Sequence, residues 1–179
     1  MSESTRQAMK IMIIYDSQFG NTQEIAEAIQ EGLGEDHNTK IFRAREVQAQ
    51  DVYNDTDLLI VGSPTQGGSY SQPVKTFLGE LSNDSLQGIC AVSFDTSTLT
   101  DNHGFVVNTL TRLLGNAAPK ISKELSKKGA RCVDSEVFYV IGKKGPLIQG
   151  EQERARAWAA KILKKASKHQ SADPSGPVI

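Results

Sequence analysis

The chain has 179 residues, with 20 Lys and Arg against 21 Asp and Glu and a formal net charge of −1. Mixed signs at near balance exclude the basic footprint of a nucleic-acid binder and an acidic tail. The apolar runs stop after about five or six residues, far short of a membrane span, and the polar start MSESTRQAMK has no secretory core, so a cytoplasmic location is expected. This length suits one domain, with roughly 70% of the unfolded surface buried.

Taken in chain order, Ile11 to Tyr15 is a short β-branched run that predicts a strand buried on both faces. Gln23 to Leu33 then changes period, with Ile25, Ala26, Ile29 and Leu33 on one helical face and Gln23, Glu24, Glu27, Gln30 and Glu31 on the other. Between them lie Ser17, Gln18, Phe19, Gly20, Asn21 and Thr22. Small polar side chains, a glycine and the bare N–H groups of a helix start form an anion site. Ordinary helix capping explains the same residues about equally well when they are taken alone. The turn matches neither GxGxxG nor GxxxxGK[ST], and no Lys or Arg occurs between Asp16 and Glu24. A single terminal phosphate, as in a mononucleotide cofactor, suits it better than a triphosphate, which would recruit a cation.

Thr39 to Arg43 reads as a short strand, and Val47 to Val52 as a weak helical turn. Asp57 to Gly62 is a second buried strand, and Pro73, Val74, Phe77, Leu78 and Leu81 mark a helix with proline in its first turn. Between these lies Gly62, Ser63, Pro64, Thr65, Gln66, Gly67, Gly68, Ser69, Tyr70, dense in small residues. Alone it is more simply a turn, by about two to one, but it leaves the strand expected beside the first. Ile89 to Phe94 is a further strand, followed by a loop over Phe94, Asp95, Thr96, Ser97 and Thr98 that either caps a turn or reaches the same ligand. Val106 to Leu114 and Pro119 to about Gly129 predict helices, Val137 to Ile141 the last strand, and Glu151 to Ala166 the closing helix. Residues 1–9 and the polar tail 167–179 read as flexible, leaving a domain over 10–166. Strands alternating with amphipathic helices imply an α/β fold, a doubly wound five-stranded parallel sheet with helices on both faces. Ligands of such sheets bind beyond the strand ends where strand order reverses.

Cys90 and Cys132 form neither a CxxC pair nor a zinc pattern and read as buried reduced thiols. His37, His103 and His169 sit among polar residues without ligand spacing and read as surface residues, so no metal is expected.

At this point the chain resembles the flavodoxin family. Ser17, Gly20, Asn21 and Thr22 match its S/T-x-x-G-x-T phosphate turn, and Ser63, Pro64, Thr65 and Gly67 match its SPTxxG-type loop. The likeness runs from Lys10 to about Ala166, and GKKGPLIQGEQERARAWA is similar to a segment of small, poorly characterised family members, which argues weakly against a classical electron carrier. The resemblance implies FMN as cofactor, with Ser17, Gln18, Phe19, Gly20, Asn21 and Thr22 around its phosphate. It places Ser63, Pro64, Thr65, Gln66, Gly67 and Gly68, together with Phe94, Asp95, Thr96 and Ser97, beside the isoalloxazine ring. Gly67 or Gly68 would turn its peptide to offer a carbonyl to the ring, and Asp95 near the ring would disfavour an anionic reduced flavin.

The departures bear on function. Many relatives stack Trp or Tyr on the ring, whereas Gln66 and Asp95 stand here, and Tyr70 is the candidate nearest in sequence. The strong acidity of many carriers is also missing. The expectation is an FMN redox protein passing electrons to a redox partner protein or to a small acceptor such as a quinone, with no catalytic side chain assigned. The alternative is a flavodoxin-fold binding or regulatory module without productive flavin chemistry. A phospho-accepting receiver domain is excluded, because Asp16 stands alone after the first strand and Gly62 and Ser63 follow the other.

Overall fold

The computed structural model describes residues 8–53, 55–98 and 115–170, the last two without their side chains. The elements run β1 (Lys10–Tyr15), α1 (Asn21–Leu33), β2 (Asn38–Arg43), α2 (Ala49–Tyr53) and β3 (Leu58–Pro64), followed by α3 (Gln72–Glu80), β4 (Cys90–Thr98), α4 (Ala117–Lys127), β5 (Arg131–Val140) and α5 (Glu151–Gln170). The strands form one 5-stranded sheet in the order β2-β1-β3-β4-β5, and every pairing is parallel. This is the doubly wound α/β architecture expected from the alternating pattern. Strand order reverses between β1 and β3, where Tyr15 lies beside Gly62, so the loops after these two strands open at the same sheet edge.

The pleat divides the core. Ile11, Ile13, Leu58, Ile60 and Val92 join Ile25 and Ile29 of α1 and Trp158 and Ile162 of α5 on one face. Met12, Ile14, Leu59, Val61 and Ala91 pack against Val52, Val74, Phe77, Ile121 and Leu125 on the other. Alternate residues of one strand therefore serve opposite layers, which is why these strands read as continuous apolar runs. Each fully buried Ile or Leu contributes about 1.5–3 kcal/mol relative to exposure. On the first face α1 and α5 approach closely at Gly32, where a Cβ would stand 2.6 Å from the Arg156 backbone.

β4 extends further than its apolar run indicates. Residues 94–97, expected as a loop, remain in the strand, which continues to Thr98. The Asp95 side chain faces α4. It is fully buried and accepts a hydrogen bond from the Ala118 N–H (2.8 Å) and another from the Ser97 hydroxyl (2.9 Å). The Ala117 N–H, one residue earlier, donates to Thr65 Oγ1 (3.1 Å). One carboxylate thus ties β4 to the start of α4, with the loop after β3 bound beside it.

Other details depart from the sequence reading. Met9, expected in the flexible start, is buried and its N–H donates to His37 Nδ1 (3.2 Å), so His37 is a half-buried acceptor, not a free surface group. α5 continues past Ala166 to Gln170. Cys90 is buried while Cys132 is only half-buried, both are free thiols, and burial raises the pKa of each. The helix expected over 106–114 and His103 lie outside the described residues, and the side chain of His169 is among those not described.

Two outcomes test this packing. Gly32→Ala should destabilise the protein by about 1–3 kcal/mol in urea unfolding, because the overpacking against α5 exceeds the gain in helix propensity of about 1 kcal/mol. Burial pushes the Asp95 carboxyl from 3.8 to about 6, against the opposing hydrogen bonds from Ala118, Ser97 and Thr65. Its contribution to stability is therefore full below the unfolded value of 3.8 and is lost as pH rises through about 6. Asp95→Asn, which carries no charge at any pH, should gain stability relative to the parent between about pH 4 and pH 7 in paired urea titrations. A pH-independent difference would contradict this account.

Candidate functional site

A cavity of about 460 Å³ opens at the switch point. Its walls come from three parts of the chain: Ser17, Gln18, Phe19, Asn21 and Thr22; Pro64, Thr65, Gln66 and Gly67; and Thr96, Thr98, Val140 and Lys143. Its size is within the usual range for small-molecule sites.

The first wall is the start of α1. Gly20 precedes the helix at φ 93°, a left-handed conformation that glycine adopts without a Cβ penalty, and no side chain caps the helix. The Ser17 hydroxyl instead accepts from the Gly20 N–H (3.1 Å). The Glu24 N–H is the donor that closes back on the Gly20 carbonyl (3.0 Å), so the earlier N–H groups of the first turn carry the helix's partial positive charge without an intrahelical acceptor. Thr22 is nearly fully buried, and its hydroxyl shares a hydrogen bond with that of Thr96 (2.7 Å).

The turn also has a cation beneath it that its own sequence lacks. Arg43, paired with Tyr15 across β1 and β2, donates from Nη1 to the Ser17 carbonyl (3.3 Å) and from Nη2 to Gln23 Oε1 (2.8 Å). Its guanidinium lies 5.6 Å from the Tyr15 ring centroid. Burial is the largest influence on the Tyr15 phenol and raises its pKa; the Arg43 charge opposes that shift.

The second wall is the loop after β3. Gln66 and Ser69 exchange backbone hydrogen bonds (2.8 and 3.0 Å), with Gly67 and Gly68 between them at φ 54° and 74°. Two successive positive φ values make a tight turn suited to glycine. Lys120 of α4 donates to the Gly68 carbonyl, and Thr65 N–H donates to Thr96 O (2.9 Å). The Gln66 side chain reaches across the opening to Gln18 Oε1 (3.0 Å), joining the first and second walls.

Strand alternation decides which residues of β4 reach the cavity. Thr96 and Thr98 share the α1 face and line it, whereas Asp95 and Ser97 point to the α4 side and bond each other. Phe94 is also absent from the lining. It is fully buried under Gly62, where a Cβ would stand 2.1 Å from the ring, and meets Phe138 edge-on at 6.2 Å. Ser63 is fully buried too, accepting from the Ser71 N–H (2.9 Å) and donating to the Pro64 carbonyl (2.9 Å). Gly20 and Gly68 shape the walls through backbone conformation, and neither is among the lining residues. Tyr70 packs against the second core layer, and Phe19, 42% exposed, is the aromatic residue in the lining.

Thr98, Val140 and Lys143 are cavity residues that sequence reasoning did not select. Thr98 was detectable by continuing the alternation of β4 by one pair. Val140 and Lys143 gave no local signal, because β5 joins the site only through pairing with β4 at Thr98 and Val140. Among the described residues no cluster of His, Cys, Asp or Glu could hold a metal, and no helix is long and apolar enough to cross a membrane.

Comparison with known proteins agrees with this architecture. The sequence profile described as Flavodoxin matches residues 13–158. A flavodoxin of Aquifex aeolicus is 30% identical over 181 aligned residues, covering 82% of this chain and 97% of that protein. A putative diflavin flavoprotein of Synechocystis is 33% identical over 99 residues, which is 51% of this chain but 16% of that longer protein. In three dimensions the oxidised flavodoxin 2 of Bacillus cereus superposes with a TM-score of 0.70 at 24% identity, over 87% of this chain and 99% of that one. The chain belongs to the flavodoxin family, flavin-binding electron-transfer proteins whose cofactor is FMN.

Proposed function

We propose that this protein uses FMN held in the switch-point cavity to reduce a small planar acceptor, such as a quinone. The residues present fit that cofactor. The uncapped first turn of α1, with Ser17 and Thr22 beside it, supplies donors for a phosphate. Hydroxyls of Thr65, Thr96 and Thr98 line the cavity beyond it, with the apolar side chain of Val140 on the strand beside Thr98. Bound FMN supplies one- and two-electron transfer through its ring. The chain's own part is to bind, orient and tune. Its helix start and hydroxyls would hold the phosphate end, the Gln66–Ser69 turn forms a wall, and the Gln18 and Gln66 side chains bridge the first two walls.

One observation favours a small acceptor over a dedicated carrier role: among the described lining residues no Trp or Tyr is present to cover the ring. The described wall beside the expected ring position is made of Thr65, Gln66 and Gly67, none of them aromatic, which supports access for a second flat molecule. The charge balance points the same way, since a net charge of −1 gives little long-range steering toward a protein partner. Exchange with a redox protein through the same exposed edge is the second reading, and it is favoured by the coverage of 97% of the Aquifex flavodoxin.

Purified protein should be yellow, or become so on adding FMN, and should turn over a reduced nicotinamide with a quinone in the steady state. A protein that binds no flavin would leave a flavodoxin-fold binding module. A flavin-loaded protein that is inert to quinones but reduced by a protein reductase would favour the carrier. Thr22→Val should weaken FMN binding about tenfold, the effect of roughly one lost hydrogen bond, while changing riboflavin affinity little. Equal losses for both flavins would refute its place at the phosphate.

A further inference from the structure

The connection between β5 and α5 reaches the cavity from the far end of the sequence. Residues 141–148 fold back as a small flap: Val140 bridges Leu147, the Ile141 N–H donates to the Pro146 carbonyl (2.8 Å), and the Ile148 N–H donates to the Tyr139 carbonyl (2.9 Å). Two positive-φ glycines, Gly142 at 66° and Gly145 at 96°, form its bends. The flap is seated on the start of α1, because a Cβ at Gly145 would stand 2.3 Å from Asn21 Oδ1. Only glycine permits that approach.

Two side chains from the site walls pin this flap. Thr98 Oγ1 donates to the Gly142 carbonyl (3.1 Å), and Asn21 Nδ2 donates to the Lys144 carbonyl (3.0 Å). The residue between these carbonyls is Lys143, which lines the cavity together with Ser17, Asn21 and Thr22. Lys144, its neighbour on the flap, is outside the cavity lining, and three further cations near the site are already engaged. Arg43 is bound to Ser17 and Gln23, Arg45 lies 3.7 Å from Asp16, and Lys120 holds the Gly68 carbonyl. Lys143 has no hydrogen-bond or ion-pair partner among the described residues. A pinned backbone thus carries an uncommitted lysine in the same cavity lining as Ser17, Asn21 and Thr22 at the uncapped start of α1.

The charge requirement fits. A phosphate monoester carries about −1.5 to −2 at pH 7, whereas a helix start offers only about half a positive charge. An ammonium group adds a full charge and charge-assisted hydrogen bonds. We propose that Lys143, presented by the glycine-hinged β5–α5 flap, is the cation that receives the cofactor phosphate and sets the site's preference for phosphorylated over dephosphorylated flavin. This rests on the reading of the cavity as an FMN site and adds the residue that determines specificity there. The local turn needs no cation of its own because the fold delivers one across the cavity.

The test titrates FMN and riboflavin into flavin-free protein, following flavin fluorescence, for the parent, Lys143→Met, Lys143→Arg and Lys123→Met. Lys123 is exposed on α4 outside the cavity lining, so its variant removes the same charge elsewhere. Lys143→Met should weaken FMN about tenfold to a hundredfold and leave riboflavin within about twofold. It should also flatten the salt dependence of FMN binding, since screening acts on the lost charge. Lys143→Arg should restore most of the affinity, and Lys123→Met should behave as the parent. Parent-like FMN binding by Lys143→Met, or equal loss for both flavins, would overturn the assignment while leaving the FMN site standing. The same loss in Lys123→Met would attribute the effect to net charge and also overturn it. A parent that binds neither flavin would remove the FMN reading itself, and the lysine's role with it.

Discussion

The site depends on one bare helix end. α1 begins after a left-handed Gly20 and has no side-chain cap, so its first N–H groups and their partial positive charge are left for an external acceptor. A capped helix would satisfy those donors internally and would be a better isolated helix. Here the donors are retained at the point where strand order reverses, and the loops after β1 and β3 part to leave a cavity between them.

The surrounding structure holds that end in place by hydrogen bonds that cross long stretches of sequence. Arg43 supports the Ser17 carbonyl from β2, the Thr22 and Thr96 hydroxyls join α1 to β4, and Asn21 fastens the β5–α5 flap. Asp95 does the corresponding work behind the second wall by holding the start of α4, against which Thr65 is also bonded. A residue expected at the flavin therefore acts through the frame, buried on the opposite side of its strand. That placement also explains why its carboxyl is so readily protonated, since burial outweighs the hydrogen bonds made to its charged form.

The cavity walls are notable for what they are made of. Threonine hydroxyls, glutamines and glycine backbone line it, with Val140 and the half-exposed Phe19 as its larger apolar members. Such a described lining offers many small polar contacts, whereas stacked aromatics would add about 0.5–1.5 kcal/mol per pair. At the α1 end of the cavity, the bare helix start and the hydroxyls of Ser17 and Thr22 share the lining with Lys143.

Much of this was legible in the residues alone. Periodicity located each described strand in part or whole, although β5 begins at Arg131, well before the expected Val137, and ends at Val140, and β-branched runs such as Ile11 to Tyr15 announced burial on both faces, because side-chain period and burial are properties of a short window. The phosphate turn and the small-residue loop were legible for the same reason: their residue types answer to backbone conformation over a few positions. Which face of β4 Asp95 occupies was decided by the strand's continuation to Thr98, a consequence of its pairing with β3 and β5. The cations at the turn were invisible in its own sequence because Arg43 and Lys143 arrive from β2 and from the end of β5. The sequence by itself determined the elements, their order and a turn whose residue types suit an anion. Only the tertiary structure decided the residues that meet around it, because electrostatics and hydrogen bonding act through space between segments whose separation along the chain carries no local signal.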